Sequence, residues 1–511
     1  MTMADSGSRQ STPVMEEESP KDEFPKSERS IDCDQDVEKH QIQQEGSDET
    51  IVNWEGDDDP QNPYNWPKMK KAPSIIIVSL MTLITPLASS MFSPGVLQVL
   101  HDFHSTNTVL GSFTVSVYIL GFAFGPPIVA PFSETVGRLP VYHVCNVLFL
   151  VFIIACALSN SIGMLIAFRF LAGVAGSCPI TIGAGTIADL VRPENRAKVM
   201  SLWTMGPILG PIIGPVAGGF VSQYKGWRWN FWIIAIISGA CTIASLVSMR
   251  ETFHPVLLKR KVQKCQKENP GKAYRSGLDT GLTTIQTFQM AIVRPLKLLL
   301  FSPIVLFLSL YCAVVYGVLY LLFTTLSATF SYKYGFSQGT VGLSFIGIGV
   351  GCMVGLVAFG ALSDTVVLKL ANGGERQPEY RLPPLVVGAA FLPVGLFWYG
   401  WSAQAQVHWI CPIIATSFVG IGMITAFMSI SMYLIDCYPM YAASATAANS
   451  ILRSLGGALL PLAGGPMFDS LGLGWGNSLL GFIGLVIVPA GFWLYKYGAG
   501  IRTHPKFQIN L

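Results

Sequence analysis

The sequence predicts an all-α, polytopic membrane protein with two six-helix bundles related by pseudo-symmetry. The 511-residue chain is 51% hydrophobic and only 12% charged, and its mean hydropathy is +0.49. Soluble domains usually carry about 25% charged residues. Twelve apolar stretches of about 18 to 25 residues are each long enough to cross a hydrocarbon core of ~30 Å. They lie near positions 73–92, 109–129, 139–158, 162–188, 198–222, 229–249, 303–328, 339–362, 383–401, 408–433, 441–468 and 477–497.

The two halves of the chain repeat short motifs. Residues 130–134 end span 2, and the similar residues 360–364 end span 8, 230 positions later. Residues 215–219 in span 5 match 461–465 in span 11 at an offset of 246. A longer loop after span 8 accounts for the change of offset. Two such matches favour duplicated six-helix halves.

The charged residues predict the orientation and the domain boundaries. With the N-terminus inside, the cytoplasmic segments carry 23 Lys and Arg against 3 on the opposite side, so both termini are predicted to be cytoplasmic. Residues 1–72 hold 8 basic and 18 acidic residues, which is typical of a disordered tail. The predicted units are a disordered acidic cytoplasmic tail (1–72), an N-terminal bundle (73–249), a cytoplasmic loop (250–302), a C-terminal bundle (303–497) and a cytoplasmic tail (498–511).

Span 5 contains a regular series of glycines and prolines. Glycine recurs every fourth residue, and proline follows three of the four glycines. This spacing places the glycines on one ridge of a helix, where a neighbouring backbone can approach closely. The prolines remove hydrogen bonds and bend the helix, which a bilayer protein tolerates when neighbouring helices satisfy the freed carbonyls. A bent, tightly packed membrane helix of this kind favours a transporter that rocks. The glycines are Gly206, Gly210, Gly214 and Gly218.

Five motifs identify a family resemblance. They are Asn62-Pro63-Tyr64-Asn65-Trp66-Pro67, Glu134-Thr135-Val136-Gly137-Arg138, Arg169-Phe170-Leu171-Ala172-Gly173, the glycine–proline run of span 5, and Trp227-Arg228-Trp229-Asn230-Phe231-Trp232. Over roughly residues 60–500 the chain resembles the major facilitator superfamily, and within it the twelve-span fungal drug:proton antiporter group. The run in span 5 is similar to the antiporter motif that this group associates with export, at Gly210, Gly214, Pro215, Gly218 and Gly219.

Two arginines lie inside predicted spans. An unpaired charge there costs at least about 2.5 kcal/mol on insertion scales, so each has to face a cavity, water or a partner. The resemblance implies a role in proton exchange for Arg169, and the alternative is an arginine that only bonds carbonyls between packed helices. We interpret Arg453, near the cytoplasmic half of span 11, in the same two ways.

Four carboxylates lie where spans 2, 4, 8 and 10 end. They are Glu134, Asp189, Asp364 and Asp436. We expect them to pair with Arg138 or Arg453 and with helix termini, and so to hold the bundles together in the outward-open state. The alternative is four solvated loop carboxylates. No Asp or Glu lies near the middle of a span, so protons are coupled at the cytoplasmic carboxylates, or the protein is a facilitator.

Aromatic and methionine side chains are the candidates for a substrate cavity near the midplane. Such surfaces suit flat, hydrophobic molecules, whereas many of these side chains face lipid or other helices. The main candidates are Trp203 in span 5, Tyr311, Tyr316 and Tyr320 in span 7, and Phe427 and Met428 in span 10. Further candidates are Met91 and Phe92 in span 1, Phe323 in span 7, and Met432 and Tyr433 in span 10.

The sequence contains no signature of an enzyme or of a cofactor site. It has no glycine-rich phosphate loop, and its ten cysteines are scattered without metal-type spacing. The part of the chain after residue 72 has more basic than acidic residues, which fits the topology of a membrane protein and not nucleic-acid binding. We expect no metal, no cofactor and no nucleic acid. The expected partners are the lipid bilayer, a small hydrophobic organic substrate and protons, and the expected assembly is a monomer.

The resemblance implies proton-driven export of lipophilic organic compounds, such as a fungal polyketide toxin of the cercosporin type or antifungal drugs. The alternative is an importer or facilitator of a small polar metabolite, a polyamine or a sugar. A receptor or scaffold that binds a ligand without moving it is a third class, which would not need the glycine–proline ridge. The expected location is the plasma membrane, with the vacuolar membrane as the alternative.

Overall fold

The computed structural model describes residues 49–56, 58–270, 273–279, 281, 283–372, 377–438 and 441–503. Eleven segments of this part of the chain are long and apolar enough to cross a membrane. The last, Ala442–Arg502, has 61 residues, about three times the ~20 that one crossing needs. It bends at Gly472, whose φ is +73°, and so contains predicted spans 11 and 12. The prediction of an all-α, two-bundle membrane fold is confirmed.

The N-terminal half contains spans 1 to 6. Span 1 consists of Lys68–Ser90, a 3-10 turn at Ser93–Gly95 and Val96–Asp102, and span 4 of Ile162–Gly176 and Cys178–Leu190. The others are Thr108–Thr135 (span 2), Arg138–Ala157 (span 3), Pro193–Lys225 (span 5) and Arg228–Ser248 (span 6).

The C-terminal half contains spans 7 to 12. Span 8 consists of Gln338–Leu343 and Ile346–Ala371. The others are Pro303–Tyr334 (span 7), a 3-10 turn at Pro378–Arg381 with Leu382–Gln404 (span 9), Ile410–Cys437 (span 10), and Ala442–Leu485 with Ile487–Thr503 (spans 11 and 12).

The packing follows the sequence repeat. Span 5 packs along span 1 in the first half, and span 11 packs along span 7 in the second. Between the halves, span 5 meets span 8, and span 11 meets span 2. Spans 5 and 11 therefore occupy equivalent positions, each holding its own bundle together and contacting the other bundle.

The glycine ridge of span 5 lies against the backbone of span 1. A Cβ at Gly206 would lie 3.1 Å from the Leu83 nitrogen, and one at Gly210 would lie 2.9 Å from the Leu87 nitrogen. A Cβ at Gly218 would collide with the Met91 carbonyl oxygen. The predicted close approach is therefore observed, and any side chain on this ridge would push the two helices apart.

The two ends of the molecule differ in how the halves meet. We call the end that carries residues 249–302 the linker end, and the opposite one the distal end. At the distal end, the Gln98 Nε2 donates to Gln338 Oε1 at 2.6 Å, and the Gly339 amide donates to Gln223 Oε1 at 2.7 Å. The hydrogen bonds of Ser89 with Tyr320, of Ser93 with Phe323 and of Ser337 with Gln223 also join the halves toward this end.

The predicted disordered tail over 1–72 contains regular structure from Glu49 onward. Residues 1–48 lie outside the described residues, but strand β1 (Glu49–Val52) pairs in parallel with strand β2 (Ala273–Ser276) of the linker. Lys261 Nζ lies 2.8 Å from Glu55 and 3.2 Å from Asp59. Burial acts to raise the pKa of Asp59, but hydrogen bonds from the Glu55 and Gln61 amides and the charge of Lys261 outweigh it, so this pKa lies below its usual value.

The predicted loop over 250–302 contains two helices, His254–Glu268 and Thr284–Phe301. The second begins with a capping box between Thr283 and Gln286, and it packs against spans 2 and 11. The Phe132 and Phe288 rings lie 4.7 Å apart. The linker therefore contacts both halves at its own end of the molecule. Of the predicted tail over 498–511, residues up to Thr503 continue the last helix, and the others lie outside the described residues.

Substitution of Gly218 tests the close packing of spans 1 and 5. Gly218→Ala should destabilise the fold by about 1–3 kcal/mol, because the new methyl group has no space beside Met91. The matched control is Gly239→Ala in span 6, where the nearest atoms, in Leu150, are 3.8 Å away. Thermal unfolding of the purified protein in detergent should show a lower midpoint for the first variant alone. Equal midpoints for the two variants would contradict this packing.

Candidate functional site

Span 1 is interrupted close to the contact between the halves. Its first helix ends at Ser90, where the Met91 amide still donates to the Leu87 oxygen, but the next carbonyls, those of Ala88 and Ser89, have no helical donor. Arg169 supplies the missing donors. Its Nη1 donates to the Ala88 oxygen at 3.4 Å and its Nη2 to the Ser89 oxygen at 3.0 Å. The negative end of a helix favours such a cation, so Arg169 caps the interrupted span.

The surroundings of Arg169 are apolar and aromatic. The side chain is fully buried, and its Nη2 also reaches the Val115 oxygen of span 2 at 3.4 Å. Its guanidinium carbon lies 5.0 Å from the Phe92 ring centroid and 5.3 Å from that of Tyr118, at distances typical of cation–π contact. None of its hydrogen bonds within the described residues goes to a carboxylate. In this conformation the contacts match the carbonyl-bonding alternative, and the expected role in proton exchange stays a prediction.

Span 7 is joined to the interrupted span 1 by two hydroxyl groups. The Ser89 and Tyr320 hydroxyls are hydrogen-bonded at 2.8 Å, and the Ser93 hydroxyl donates to the Phe323 carbonyl. Tyr320 is 1% exposed. The same turn of span 1 that Arg169 caps is thus the turn that holds the other half.

Next to this contact, toward the linker end, lies an aromatic cluster. The Tyr316 and Tyr320 ring centroids are 5.3 Å apart. The Arg453 guanidinium carbon lies 4.8 Å from the Tyr316 centroid and 4.7 Å from the Phe427 centroid. A Cβ at Gly457 would touch Tyr316, Tyr320 and Ile119 of the other half. The cluster therefore borders the interface between the halves.

The remaining cavity candidates divide between this region and the packed interior. Tyr311 and Met428 are nearly buried, at 7% and 9% exposure. Trp203 lies in the N-terminal half, where its Nε1 donates to the Thr82 hydroxyl at 2.9 Å and its ring lies beside Gly183. The structure thus brings Tyr316 and Tyr320 into contact, joins Phe427 to Tyr316 through Arg453, and places Trp203 against spans 1 and 4.

In the N-terminal half, the predicted partner of Arg138 is found at the linker end. Arg138 Nε lies 3.3 Å from Asp189, and its Nη1 donates to the Ser133 hydroxyl at 2.7 Å. Glu134 lies at the exposed end of span 2, where its charge interacts with those of Arg138 and Arg294. The contacts of Arg138 thus join the ends of spans 2, 3 and 4.

The C-terminal half contains the same arrangement, built on Arg381. Its Nε lies 3.1 Å from Asp436, its Nη1 donates to the Ser363 hydroxyl at 3.1 Å, and the same nitrogen lies 2.6 Å from Asp364. Arg381 therefore corresponds to Arg138. Sequence reasoning missed it because the longer loop after span 8 moves it 18 positions from its serine, against five in the first half.

The expected pairing of Arg453 with these carboxylates is wrong. Arg453 forms no ion pair with a described carboxylate, because it lies between two aromatic rings near the midplane. The ion pairs of Arg138 and Arg381 each stay within one half. In this conformation they brace the linker ends of the separate bundles and do not fasten one bundle to the other.

Glu251 is a further residue that the sequence reasoning missed. Its carboxylate accepts hydrogen bonds from the backbone amides of Arg138 at 2.9 Å, Leu139 at 3.1 Å, and Thr252 and Phe253 at 3.0 Å. It thereby caps span 3 and fixes the start of the linker to the same turn. Its place directly after span 6 was the only available signal.

The two halves are duplicated helical bundles with matching arginine clusters. The first span is interrupted, and a partly exposed aromatic site lies at the contact between the halves. This combination defines a polytopic transporter. The sequence model described as the Major Facilitator Superfamily matches residues 78–461. The chain belongs to this superfamily, and it is therefore a membrane transporter and not an enzyme.

Similar proteins come from several fungi. The chain is 55% identical to the MFS-type transporter penM of Penicillium rubens over 466 residues, which cover 91% of each protein. It is 48% identical to the efflux pump radE of Floropilus chiversii, with 92% of this chain and 88% of that protein covered.

Among solved structures, the fold resembles a D-xylose-proton symporter, with a TM-score of 0.64 and 16% identity over 86% of this chain and 99% of that one. It also resembles the inward open conformation of the xylose transporter XylE from E. coli, with a TM-score of 0.60 and 14% identity over 82% and 95% of the two chains. At these identities the likeness concerns the fold alone.

Removal of the Glu251 charge tests its capping role. Glu251→Gln should lower the stability of the protein by about 1.5–3 kcal/mol, because four amides lose a charged acceptor. Glu268→Gln is the matched control, since the Glu268 carboxylate is exposed and its ion pair with Lys264 is 3.9 Å long. Thermal unfolding in detergent is the measurement. A control variant that unfolds as early as Glu251→Gln would show that Glu251 is an ordinary surface carboxylate.

Proposed function

We propose that this transporter exports lipophilic organic compounds by alternating access. The observation that carries the proposal is the aromatic cluster of Tyr316, Tyr320 and Phe427, which lies beside the contact that joins the halves. Such a surface binds flat, apolar molecules through stacking and dispersion. The glycine ridge of span 5 supports the proposal, because it lets a bent helix lie directly on span 1.

The conformation is proposed to be inward-facing. The halves are hydrogen-bonded toward the distal end, and the basic residues gather at the linker end. By the positive-inside rule the linker end is cytoplasmic, with both termini on that side, in the plasma membrane. The outward-facing state then requires the hydrogen bonds of Gln98 with Gln338 and of Gln223 with Gly339 to open while the linker ends approach each other.

The proposed driving force is the proton gradient. The described spans carry their carboxylates at their ends, and Asp189 and Asp436 each pair with an arginine there. Protonation would weaken these pairs and release the linker ends of spans 4 and 10. Facilitated transport of a polar metabolite such as a polyamine or a sugar is the second candidate. The fold's likeness to a sugar symporter does not favour it, because at 16% identity that likeness concerns the fold alone.

The substrate class proposed is that of fungal secondary metabolites, including polyketide toxins of the cercosporin type, and antifungal drugs. The name of the relative radE describes it as an efflux pump, and relatives of this kind support export over uptake. The choice of compound within this class is for a panel of substrates to decide.

Efflux from yeast that expresses the chain tests the function. Cells loaded with fluorescent hydrophobic compounds and fungal toxins should lose at least one of them, and a protonophore should stop the loss. Asp189→Asn and Asp436→Asn should bring this loss close to that of cells without the protein. Asp279→Asn, a linker carboxylate outside the spans, should leave it unchanged. Surface labelling has to show equal amounts of each variant.

Three results of this experiment would count against parts of the proposal. Loss that ignores the protonophore would replace proton-driven export with facilitated diffusion. Loss that persists in both aspartate variants would remove these carboxylates from the coupling. If no compound moves while the protein is present at the surface, the uptake alternative takes precedence. Arg169→Ala and Arg169→Lys extend the test, since only the lysine variant keeps a cation beside the end of span 1.

A further inference from the structure

Arg453 lies in the middle of the molecule and has no ionic partner among the described residues. Tyr316 lies 13 residues after Pro303, Arg453 11 residues after Ala442, and Phe427 10 residues before Cys437. At 1.5 Å per residue, all three lie about 15–20 Å from the linker ends of their helices, near the midplane of a bilayer. Transporters of this architecture bind their substrates at this depth.

The geometry points to an anion-binding site, and we propose that Arg453 binds the acidic oxygen of a flat, weakly acidic organic substrate. This inference rests on the proposed export function and narrows its substrate class. The guanidinium lies between the rings of Tyr316 and Phe427, at 4.8 and 4.7 Å. The two rings hold it in place through cation–π contact, and no described residue accepts a hydrogen bond from it.

The hydrogen bonding of Arg453 indicates that its guanidinium lacks an acceptor. Its Nε is buried and has no hydrogen-bond partner in the described part of the chain. Arg169 differs at its terminal nitrogens. Its Nε also lacks a partner among the described residues, but its two Nη atoms bond three backbone carbonyls, so most of its donors are used within the protein. An arginine that lacks an anionic partner among the described residues would gain most from a ligand that supplies one.

A second unpaired group lies one helical turn away. Asn449 precedes Arg453 by four residues on span 11, so the two share a face of the helix. The Asn449 side chain is 2% exposed, and its Oδ1 has no donor among the described residues. Both residues also interact with Cys312 of span 7, which places them together at the contact of spans 7 and 11. An acid with a neighbouring hydroxyl or N–H would satisfy both groups.

The position of the site explains how the ligand would enter. Gly457, one turn farther along span 11, lies beside Ile119 of the other half, where the halves touch. Arg453 lies on the linker side of that contact, and its side chain is partly exposed. In the inward-facing conformation, a substrate from the linker end would therefore meet Arg453 before it reaches the closed contact. A cationic substrate such as a polyamine would be repelled at the same place.

Binding of two matched fluorescent dyes to the purified protein tests this site. Anilinonaphthalene sulfonate and N-phenyl-1-naphthylamine share the same ring system, and only the first carries a negative charge. Full-length protein in discs of zwitterionic lipid should bind the sulfonate more tightly, after subtraction of empty discs. Arg453→Gln should weaken sulfonate binding by about ten- to a hundredfold, the range expected for a charge-assisted hydrogen bond. Binding of the neutral dye should change less than about twofold, because stacking on the rings remains.

The matched control is Arg250→Gln, which removes the same charge from an exposed position at the end of span 6 and should leave both dyes unaffected. Arg453→Lys should keep part of the preference, since it retains a cation without the planar fork. Unchanged binding of the neutral dye also shows that Arg453→Gln is folded.

The outcomes separate this inference from the proposed function. If all proteins bind the neutral dye equally, and the sulfonate no more tightly, the anion site is overturned while the lipophile site stands. An equal loss of both dyes in Arg453→Gln would mean that the arginine only supports the rings, which also overturns the inference. If the wild-type protein binds neither dye, the lipophile site fails and the anion site fails with it.

Discussion

The carbonyls at the end of the first helix of span 1 have to be satisfied inside a bilayer, where no water replaces a lost donor. Arg169 supplies the donors for Ala88 and Ser89 from span 4. The same turn holds Tyr320 of the other half through the Ser89 hydroxyl. Capping of one interrupted helix therefore fixes both the interior of the first bundle and the place where the second bundle touches it. The aromatic cluster lies next to this contact, through Tyr320.

Duplication explains how the remaining parts are arranged. Arg138 and Arg381 brace the linker ends of the two bundles with the same set of partners, a serine at the end of one span and an aspartate at the end of another. The two bundles differ at their centres. Arg169 is used by backbone carbonyls, and Arg453 lies between two rings. The matching arginine clusters therefore stabilise each bundle, and we place substrate binding near the midplane, where the two bundles differ.

The sequence was sufficient for the fold because hydrophobic length, glycine spacing and basic loops act through general physical rules. It also predicted that carboxylates at the span ends pair with Arg138 or Arg453, and the structure shows the pairing of Asp189 with Arg138. It did not predict Arg381 or Glu251, whose partners are set by the unequal loop after span 8 and by the turn after span 6. The position of Arg453 was misjudged for a similar reason. Distance along span 11 gives its depth, but only the packing of spans 7 and 10 shows that rings surround it.

During transport, the contacts between the halves should open at the distal end as the linker ends approach each other. Distances between spin labels at both ends test this most directly. One pair would be placed at Tyr224 and Tyr332 at the distal end, and the other at Val136 and Leu368 at the linker end, all exposed and one from each half, after replacement of the native cysteines. We expect that an exported compound or a change of pH lengthens one distance and shortens the other. Distances that stay fixed at both ends, or that lengthen together, would contradict alternating access.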